Sequence, residues 1–280
     1  MNLTSPKDVT ALLERHGIKP NKTLGQNFLI DRNILDLIVE SADLKGTEHV
    51  LEVGAGLGVL TERLMEKAAH VTAVEKDAGL HSLLEERWAG DKRLTLMFGD
   101  ALELKLDAVI EGGATRLVSN LPYAVGVRVV VDAAVCATPP EVMTVLLQKE
   151  VGERFAASPG TKGMGAVSVL LQQIYDVKLV RNVKPSCFFP RPEVTSVIIK
   201  MTKHNRFALD IEARRKLHRF VREAFLHRRK QLASAMRGAG GGFARDADFT
   251  RAALQECGAL ATARPEELSV GQWIKLSEMW

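Results

Sequence analysis

The tetrapeptide Asn120-Leu121-Pro122-Tyr123 follows the segment Glu52-Val53-Gly54-Ala55-Gly56-Leu57-Gly58 by about sixty residues. Its residue types suit an aromatic amine. The lone pair of an exocyclic amine such as that of adenine is delocalised into the ring, so the nitrogen is a poor nucleophile. The Asn120 side-chain oxygen and the carbonyl of Leu121 or Pro122 can accept the two amine hydrogens and draw the nitrogen toward tetrahedral geometry. No strong base is needed, because the nitrogen becomes acidic only after it gains the incoming group. The rate gain then comes from positioning and transition-state electrostatics. Pro122 stiffens the loop, and Tyr123 offers a stacking face to a base taken out of its helix. Alone, the tetrapeptide reads more readily as an ordinary strand-end turn.

The glycine segment changes that balance. Glycines serve where backbone turns tightly and approaches a ligand with no Cβ in the way. The spacing here is G-x-G-x-G, not the G-x-G-x-x-G of dinucleotide folds, and nothing nearby suggests a pyrophosphate cradle. Glu75 lies 21 residues after Gly54, at a strand end, where an acid accepts hydrogen bonds from ribose hydroxyls. Asp100 follows the next strand in Phe98-Gly99-Asp100-Ala101, where a carboxylate can accept from an adenine amine. Three successive strand ends so equipped point to S-adenosylmethionine rather than NAD. Gly25-Gln26-Asn27-Phe28-Leu29, upstream, is expected to close over the cofactor. Both motifs in this order read as an enzyme that moves a methyl group onto an exocyclic nitrogen. An NAD-dependent dehydrogenase, the other reading of the glycine turn, leaves Asn120 to Tyr123 with no task. A second aromatic cluster, Cys187-Phe188-Phe189-Pro190-Arg191-Pro192, supports base binding, with Phe188 expected to cover the target ring opposite Tyr123.

Elements able to hold these residues are visible in the hydrophobic pattern. Strands are expected at His49–Val53, His70–Glu75, Leu94–Phe98, Arg116–Asn120, Met143–Gln148, Lys178–Val183 and Ser196–Met201. Amphipathic stretches such as Leu60–Ala69 and Ala78–Ala89 separate the first of them. This alternation predicts an α/β fold, a mostly parallel sheet with helices on both faces. Lys184–Thr195 is too proline-rich for a helix, so the last two strands are expected to pair antiparallel at the edge. Ser5-Pro6-Lys7-Asp8 reads as a capping box opening a short helix that Gly17 ends. After about residue 205 strand signals cease. Ile211–Arg237 has helical spacing, Gly238 to Gly242 is a flexible connector, and Phe249–Cys257 and Pro265–Glu278 read as further helices. Two domains are therefore expected, residues 1–205 and an all-helical unit over 206–280.

Composition narrows the class. The 280 residues are 46% hydrophobic and 26% charged, ordinary for a soluble globular protein, and no apolar run reaches membrane-spanning length. Met1 to Lys22 lacks the basic-then-apolar design of a secretory signal. Cys136, Cys187 and Cys257 are odd in number and unpaired in spacing, which predicts reduced thiols in a cytosol and no zinc site, and no metal ligands are expected elsewhere. The net charge of +4 is uneven: Arg206 to Arg237 holds ten Lys/Arg against three acids, a local +7 that leaves −3 elsewhere. Such clustering predicts a nucleic-acid-facing surface.

With these residues in view, the chain resembles the rRNA adenine N6,N6-dimethyltransferase family, in its bacterial small-subunit (16S) branch. The similarity runs through Gly25 to Leu29, Glu52 to Gly58 with Leu60-Thr61, Glu75, Gly99 to Leu102, and Asn120 to Tyr123. It continues through Gln148 to Val151, Pro159-Gly160, Phe188 to Ser196 and Arg228-Arg229-Lys230. The resemblance implies a Rossmann-like class I methyltransferase with a seven-stranded sheet and a small C-terminal helical domain. It implies that Asn27, Leu29, Gly54, Glu75, Asp100 and Asn120 line an S-adenosylmethionine pocket, and that Asn120, Pro122, Tyr123 and Phe188 hold the adenine. The substrate would be two adjacent adenosines in the 3′-terminal hairpin loop of 16S rRNA, each dimethylated within an immature small ribosomal subunit. A cytoplasmic monomer is expected. Ala124, Leu24, Glu193 and Met164 depart from the family's usual asparagine, aromatic, lysine and aromatic, which bears on loop docking and RNA affinity. The sister enzymes that methylate large-subunit (23S) rRNA share the fold, usually with isoleucine in place of Leu121. A non-catalytic assembly factor or organellar transcription factor is a further alternative, opposed by the intact Asn120, Glu75 and Asp100.

Overall fold

Near-continuous apolar runs, Val50 to Val53, Val71 to Val74 and Val142 to Leu147, become strands buried on both faces. The computed structural model describes residues 3–20 and 25–280; Leu24 and part of the leading segment lie outside the described residues. Nine strands are described: β1 (Phe28–Leu29), β2 (His49–Val53), β3 (His70–Glu75), β4 (Leu94–Phe98), β5 (Ala114–Asn120), β6 (Val142–Gln148), β7 (Tyr175–Val183), β8 (Phe188–Phe189) and β9 (Ser196–Lys203). Seven form one sheet in the order β4-β3-β2-β5-β6-β9-β7, and β1 pairs with β8 in a separate two-stranded ribbon. The pairs β4/β3, β3/β2, β2/β5 and β5/β6 are parallel, whereas β6/β9 is antiparallel. From β2 the chain first builds outward through β3 and β4, then crosses to β5 on the other side. The crevice beyond the ends of β2 and β5 is therefore a topological switch point, where open α/β sheets bind ligands.

Local chemistry starts the helices that follow. Asp31 caps Arg32–Ser41 by accepting from the Ile34 amide at 3.2 Å, and Asp77 caps Ala78–Arg87 by accepting from the Leu80 amide at 3.1 Å. Helix Val59–Met65 starts instead from Gly58, whose φ of 75° is left-handed. A Cβ there would lie 2.5 Å from the Trp88 ring, so only glycine fits. The leading helix forms at Pro6–Arg15, but the Ser5 side chain makes no cap hydrogen bond, contrary to the expected capping box.

The chain divides into two compact units, and the division differs from the expected one. One unit is Met1–Gly152 with Lys178–Lys203; the other is Glu153–Val177 with His204–Trp280. One change of unit falls between Lys203 and His204, but the helical unit also takes in 153–177. Ala157, Met164 and Val169 of that segment pack in one apolar cluster with Leu217, Phe220, Val221, Leu254 and Trp273. Their partners lie tens of residues away, which local spacing cannot display.

A second difference lies in the basic stretch. One helix runs Ile211–Phe225, capped by Asp210, and a short one resumes at Leu232–Ala235. Arg228-Arg229-Lys230 therefore occupies a turn, not a helix. No glycine or proline marks this break. Tertiary bonds make it: the Arg228 guanidinium donates to the Lys162 carbonyl at 2.6 Å, and the Leu232 amide donates to the Ala263 carbonyl at 2.8 Å.

Candidate active site at the ends of the parallel strands

A cavity of about 250 Å³ opens at the switch point. Its wall is built by the ends of β2, β3, β4 and β5, and Gly25 to Leu29 contribute its opposite side. Asn27, Leu29, Gly54, Glu75, Asp100, Asn120, Pro122 and Tyr123 all line it. Residues from five separate stretches of sequence are thus gathered around one space.

Phe188 is the exception. It is 2% exposed, lies opposite Leu29 in the β1/β8 ribbon and packs into the core cluster with Leu35, Ile38 and Val118. The expected cover of a target ring by Phe188 is not met, because burying this ring is what seats the ribbon that carries Leu29. Among the departures from the family pattern, Ala124 is an exposed wall residue, Glu193 is exposed in the β8–β9 connection, and Met164 is buried in the helical unit.

The glycine turn makes room for the loop after β5. Gly54 has φ 81°, and a Cβ on it would lie 3.1 Å from the Pro122 ring. The Gly56 amide donates to Glu75 Oε2 at 2.8 Å, and the Asp77 amide donates to Oε1 at 2.9 Å. Both carboxylate oxygens are thereby oriented. Burial raises the Glu75 pKa, and these backbone bonds oppose that rise. Asp100 accepts from Lys76 Nζ at 2.6 Å and from the Leu102 amide at 2.9 Å, and the Lys76 bond holds its carboxyl below the usual value. A Cβ-free cradle, a held carboxylate at the end of β3 and a second beyond β4 fit S-adenosylmethionine, whose ribose and adenine require acceptors.

The hydrogen bonds of the loop after β5 show which of its acceptor atoms are already engaged. Asn120 Nδ2 donates to the Asn27 carbonyl at 3.2 Å, and Asn27 Nδ2 donates to the Gly25 carbonyl at 3.0 Å. With its nitrogen so engaged, the Asn120 amide keeps its oxygen for another donor. The Pro122 carbonyl accepts from the Val125 and Gly126 amides at 3.1 and 2.9 Å, where helix Gly126–Val135 begins. Of the two carbonyls left open by the sequence, Leu121 is therefore the one with capacity for an amine hydrogen.

Four side chains at or beside the site have no individual role in the sequence reading. Lys76 is adjacent to Glu75 and could have been flagged by position. Gln26 donates to Asp77 Oδ2 at 3.2 Å, Thr61 donates to Glu52 Oε2 at 2.7 Å, and Ser196 meets the Tyr123 hydroxyl at 2.5 Å. The Gln26 and Ser196 contacts bridge more than fifty residues, and no local signal announces them.

Glu52 is 1% exposed beneath the glycine turn, and its pKa is pushed up to about 8. Burial is the main cause, the Thr61 hydrogen bond opposes it, and the charge of Glu75 adds to it. An unfolded glutamate ionises near its ordinary value of 4.5. Between those pH values the folded state holds a proton that the unfolded chain has released. Stability contributed by this group therefore falls as pH rises through the window, by up to about 1.4 kcal/mol per pH unit. Glu52→Gln is expected to remove that slope in urea titrations run between pH 5 and 8. An unchanged slope in the variant would place its origin elsewhere.

Comparison with known proteins agrees with this geometry. The family model described as ribosomal RNA adenine dimethylase matches residues 17–279. The ribosomal RNA small subunit methyltransferase A of Clostridium acetobutylicum is 36% identical over 268 residues, covering 95% of this chain and 96% of that protein. The protein of the same name from Natranaerobius thermophilus is 35% identical over 294 residues, covering 99% and 96%. Among solved structures, a dimethyladenosine transferase from Plasmodium falciparum superposes with a TM-score of 0.73 at 22% identity, covering 88% of this chain and 94% of that one. The 23S rRNA methyltransferase ErmE superposes with a TM-score of 0.67 at 24% identity, covering 90% and 98%; these two likenesses show the fold. With the family model spanning nearly all of it and relatives above 30% identity along its length, this chain belongs to the ribosomal RNA adenine dimethylase family.

Proposed function

We propose that this protein transfers methyl groups from S-adenosylmethionine to the N6 amines of two adjacent adenosines in the 3′-terminal hairpin loop of 16S rRNA, dimethylating each. The observation that carries the reading is the pair of acceptors at the end of β5. The Asn120 amide oxygen, freed by the bond to the Asn27 carbonyl, and the Leu121 carbonyl stand beside a cavity that carries Glu75 and Asp100. Bound in that cavity, S-adenosylmethionine supplies an electrophilic methyl on a sulfonium. The two acceptors take the amine hydrogens, turn the nitrogen lone pair out of conjugation and stabilise the positive charge that grows there. The N–C bond forms as the C–S bond breaks, and the extra proton then leaves the cationic nitrogen for solvent. Tyr123 supplies the stacking face, and Gly54 and Pro122 hold the loop in place.

The substrate branch rests on the named relatives, which are small-subunit enzymes. An immature small subunit as partner, a monomeric working state and a cytoplasmic setting belong to the same proposal. No helix among the described residues is long and apolar enough to cross a membrane. The test is incubation with methyl-labelled cofactor and undermethylated small or large ribosomal particles, followed by nucleoside mass spectrometry. Dimethyladenosine is expected in 16S rRNA; its appearance only in 23S rRNA, or nowhere, would overturn the assignment.

The basic surface takes a different form from the one expected. Arg215, Arg219 and Arg222 recur at spacings of four and three along helix Ile211–Phe225 and are exposed, as are Arg229 and Lys230 in the turn beyond. Arg228 is engaged within its own unit by the Lys162 carbonyl and by Glu266 at 3.7 Å. Removing the charges of Arg219, Arg222, Arg229 and Lys230 is expected to weaken RNA binding and flatten its dependence on salt, by a slope of up to about 1 for each phosphate no longer neutralised. Arg228→Ala is expected instead to lower the stability of the helical unit by about 1 kcal/mol. Equal salt slopes for wild type and the charge variant would show that these cations face elsewhere.

A further inference from the structure

Ser196 has no part in the methyl-transfer chemistry described above, yet it touches the residue meant to stack on the base. Its side chain is fully buried, at 0% exposure, and its hydroxyl oxygen lies 2.5 Å from that of Tyr123. The two residues are 73 positions apart. Topology brings them together. β9 runs antiparallel to β6, with Ser196 opposite Gln148, so β9 begins at the edge of the sheet where the parallel strands end. Tyr123 hangs from that same edge, just past β5.

A tyrosine ring on a loop is free to rotate about two side-chain bonds unless something holds its far end. Here the near end is fixed by the Pro122 ring against Gly54 and by helix Gly126–Val135, which starts three residues on. The far end is fixed by one hydroxyl in the sheet. Burial raises the Tyr123 phenol above its ordinary pKa, so it keeps the proton that such a bond uses. Ring orientation is then set before any base arrives, which lowers the ordering cost in the transition state.

We propose that Ser196 is a positioning residue for methyl transfer: its hydroxyl locks the Tyr123 ring in the orientation that stacks on the target adenine. This role rests on the proposed adenine chemistry. It predicts a coupled pair, in which the phenol hydroxyl matters only through Ser196 and the serine only through the phenol.

The test is a double-mutant cycle in the full-length protein, with undermethylated small ribosomal subunits and methyl-labelled S-adenosylmethionine. Ser196→Ala is expected to lower kcat about 10-fold, the scale of one missing hydrogen bond. KM and Kd for S-adenosylmethionine should not change, since the groups assigned to the cofactor are Glu75 and Asp100 and the Tyr123 hydroxyl is engaged by Ser196. Tyr123→Phe, which keeps the ring, should lower kcat by a similar factor, and the double variant should be no slower than either single one. Should Ser196→Ala not fold, Tyr123→Phe alone reads the same bond. The proposal is overturned if either single variant turns over at the wild-type rate, if the two effects multiply, or if the defect falls on KM for S-adenosylmethionine. A wild-type protein that methylates no ribosomal RNA sinks the substrate reading and this role with it, whereas an active wild type with unaffected variants sinks this role alone.

Discussion

Asn120→Ala lowers the rate of methyl transfer by about 100- to 1000-fold, while binding to the ribosomal particle stays nearly unchanged. The size follows from removing a preorganised dipole at the atom where charge develops. The wild-type amide costs nothing to orient during the reaction, because the Asn27 carbonyl already holds its nitrogen at 3.2 Å. Alanine removes the acceptor and leaves that carbonyl without its donor. Asn120→Asp separates the two effects. It keeps an oxygen for the amine but sets a carboxylate against the Asn27 carbonyl, so it too should be slow. Single-turnover kinetics with labelled cofactor and filter binding to undermethylated particles supply both readouts. Near-normal turnover in Asn120→Ala would remove the central element of the proposed mechanism.

The second large effect is expected at Glu75. Its carboxylate, 7% exposed, accepts from the Gly56 and Asp77 amides and so fixes the glycine turn to the end of β3. Glu75→Ala strands two part-buried N–H groups, each costing about 1–3 kcal/mol, and removes the acceptor assigned to the cofactor ribose. S-adenosylmethionine affinity is expected to fall about 10- to 100-fold by calorimetry, since one hydrogen bond to a charged group carries about 1.5–3 kcal/mol. A dependence on pH comes with it. Burial raises the Glu75 pKa, so protonation begins above the usual carboxylate range as pH falls. Cofactor affinity should weaken on that acidic limb in wild type and stay flat in Glu75→Gln. An alanine variant that binds the cofactor as wild type does would detach Glu75 from the pocket.

Both predictions draw on residues that are legible before the fold is known, and the reason is local. β2, β3 and β4 lie where the apolar runs predict, residue for residue. β2 and β3 are buried along nearly their whole length and leave an almost unbroken apolar signature, whereas β4, at the sheet edge, is only partly buried. Gly54, Glu75, Asp100 and Asn120 stand at or just past strand ends, so once the strands are known the residues converge by topology. At the sheet edge β7 lies beside β9, so the last two expected strands are neighbours there, and β9 pairs antiparallel with β6 on its other side.

The expectations that fail have a common physical origin in contacts between distant segments. Phe188 has the residue type and the proline-flanked setting of a base-stacking side chain, but the β1/β8 pairing turns it into the core. Residues 153–177 carry no mark of the helical unit they join, because their partners begin with Leu217. The break after Phe225 is set by bonds to Lys162 and Ala263, not by a helix-stopping residue.

By itself, then, the amino-acid sequence determined the α/β class, the seven strands of the main sheet, the donor pocket and the tetrapeptide that faces it, because each follows from periodicity or from position at a strand end. Only the tertiary structure decided which carbonyl is open, which way the Asn120 amide points and what holds Tyr123. Those three depend on a few hydrogen bonds: two from the start of a helix, one to a backbone oxygen 93 residues away and one to a serine 73 residues away. A hydrogen bond is directional and short in range, so it exists only once packing has brought its two ends together.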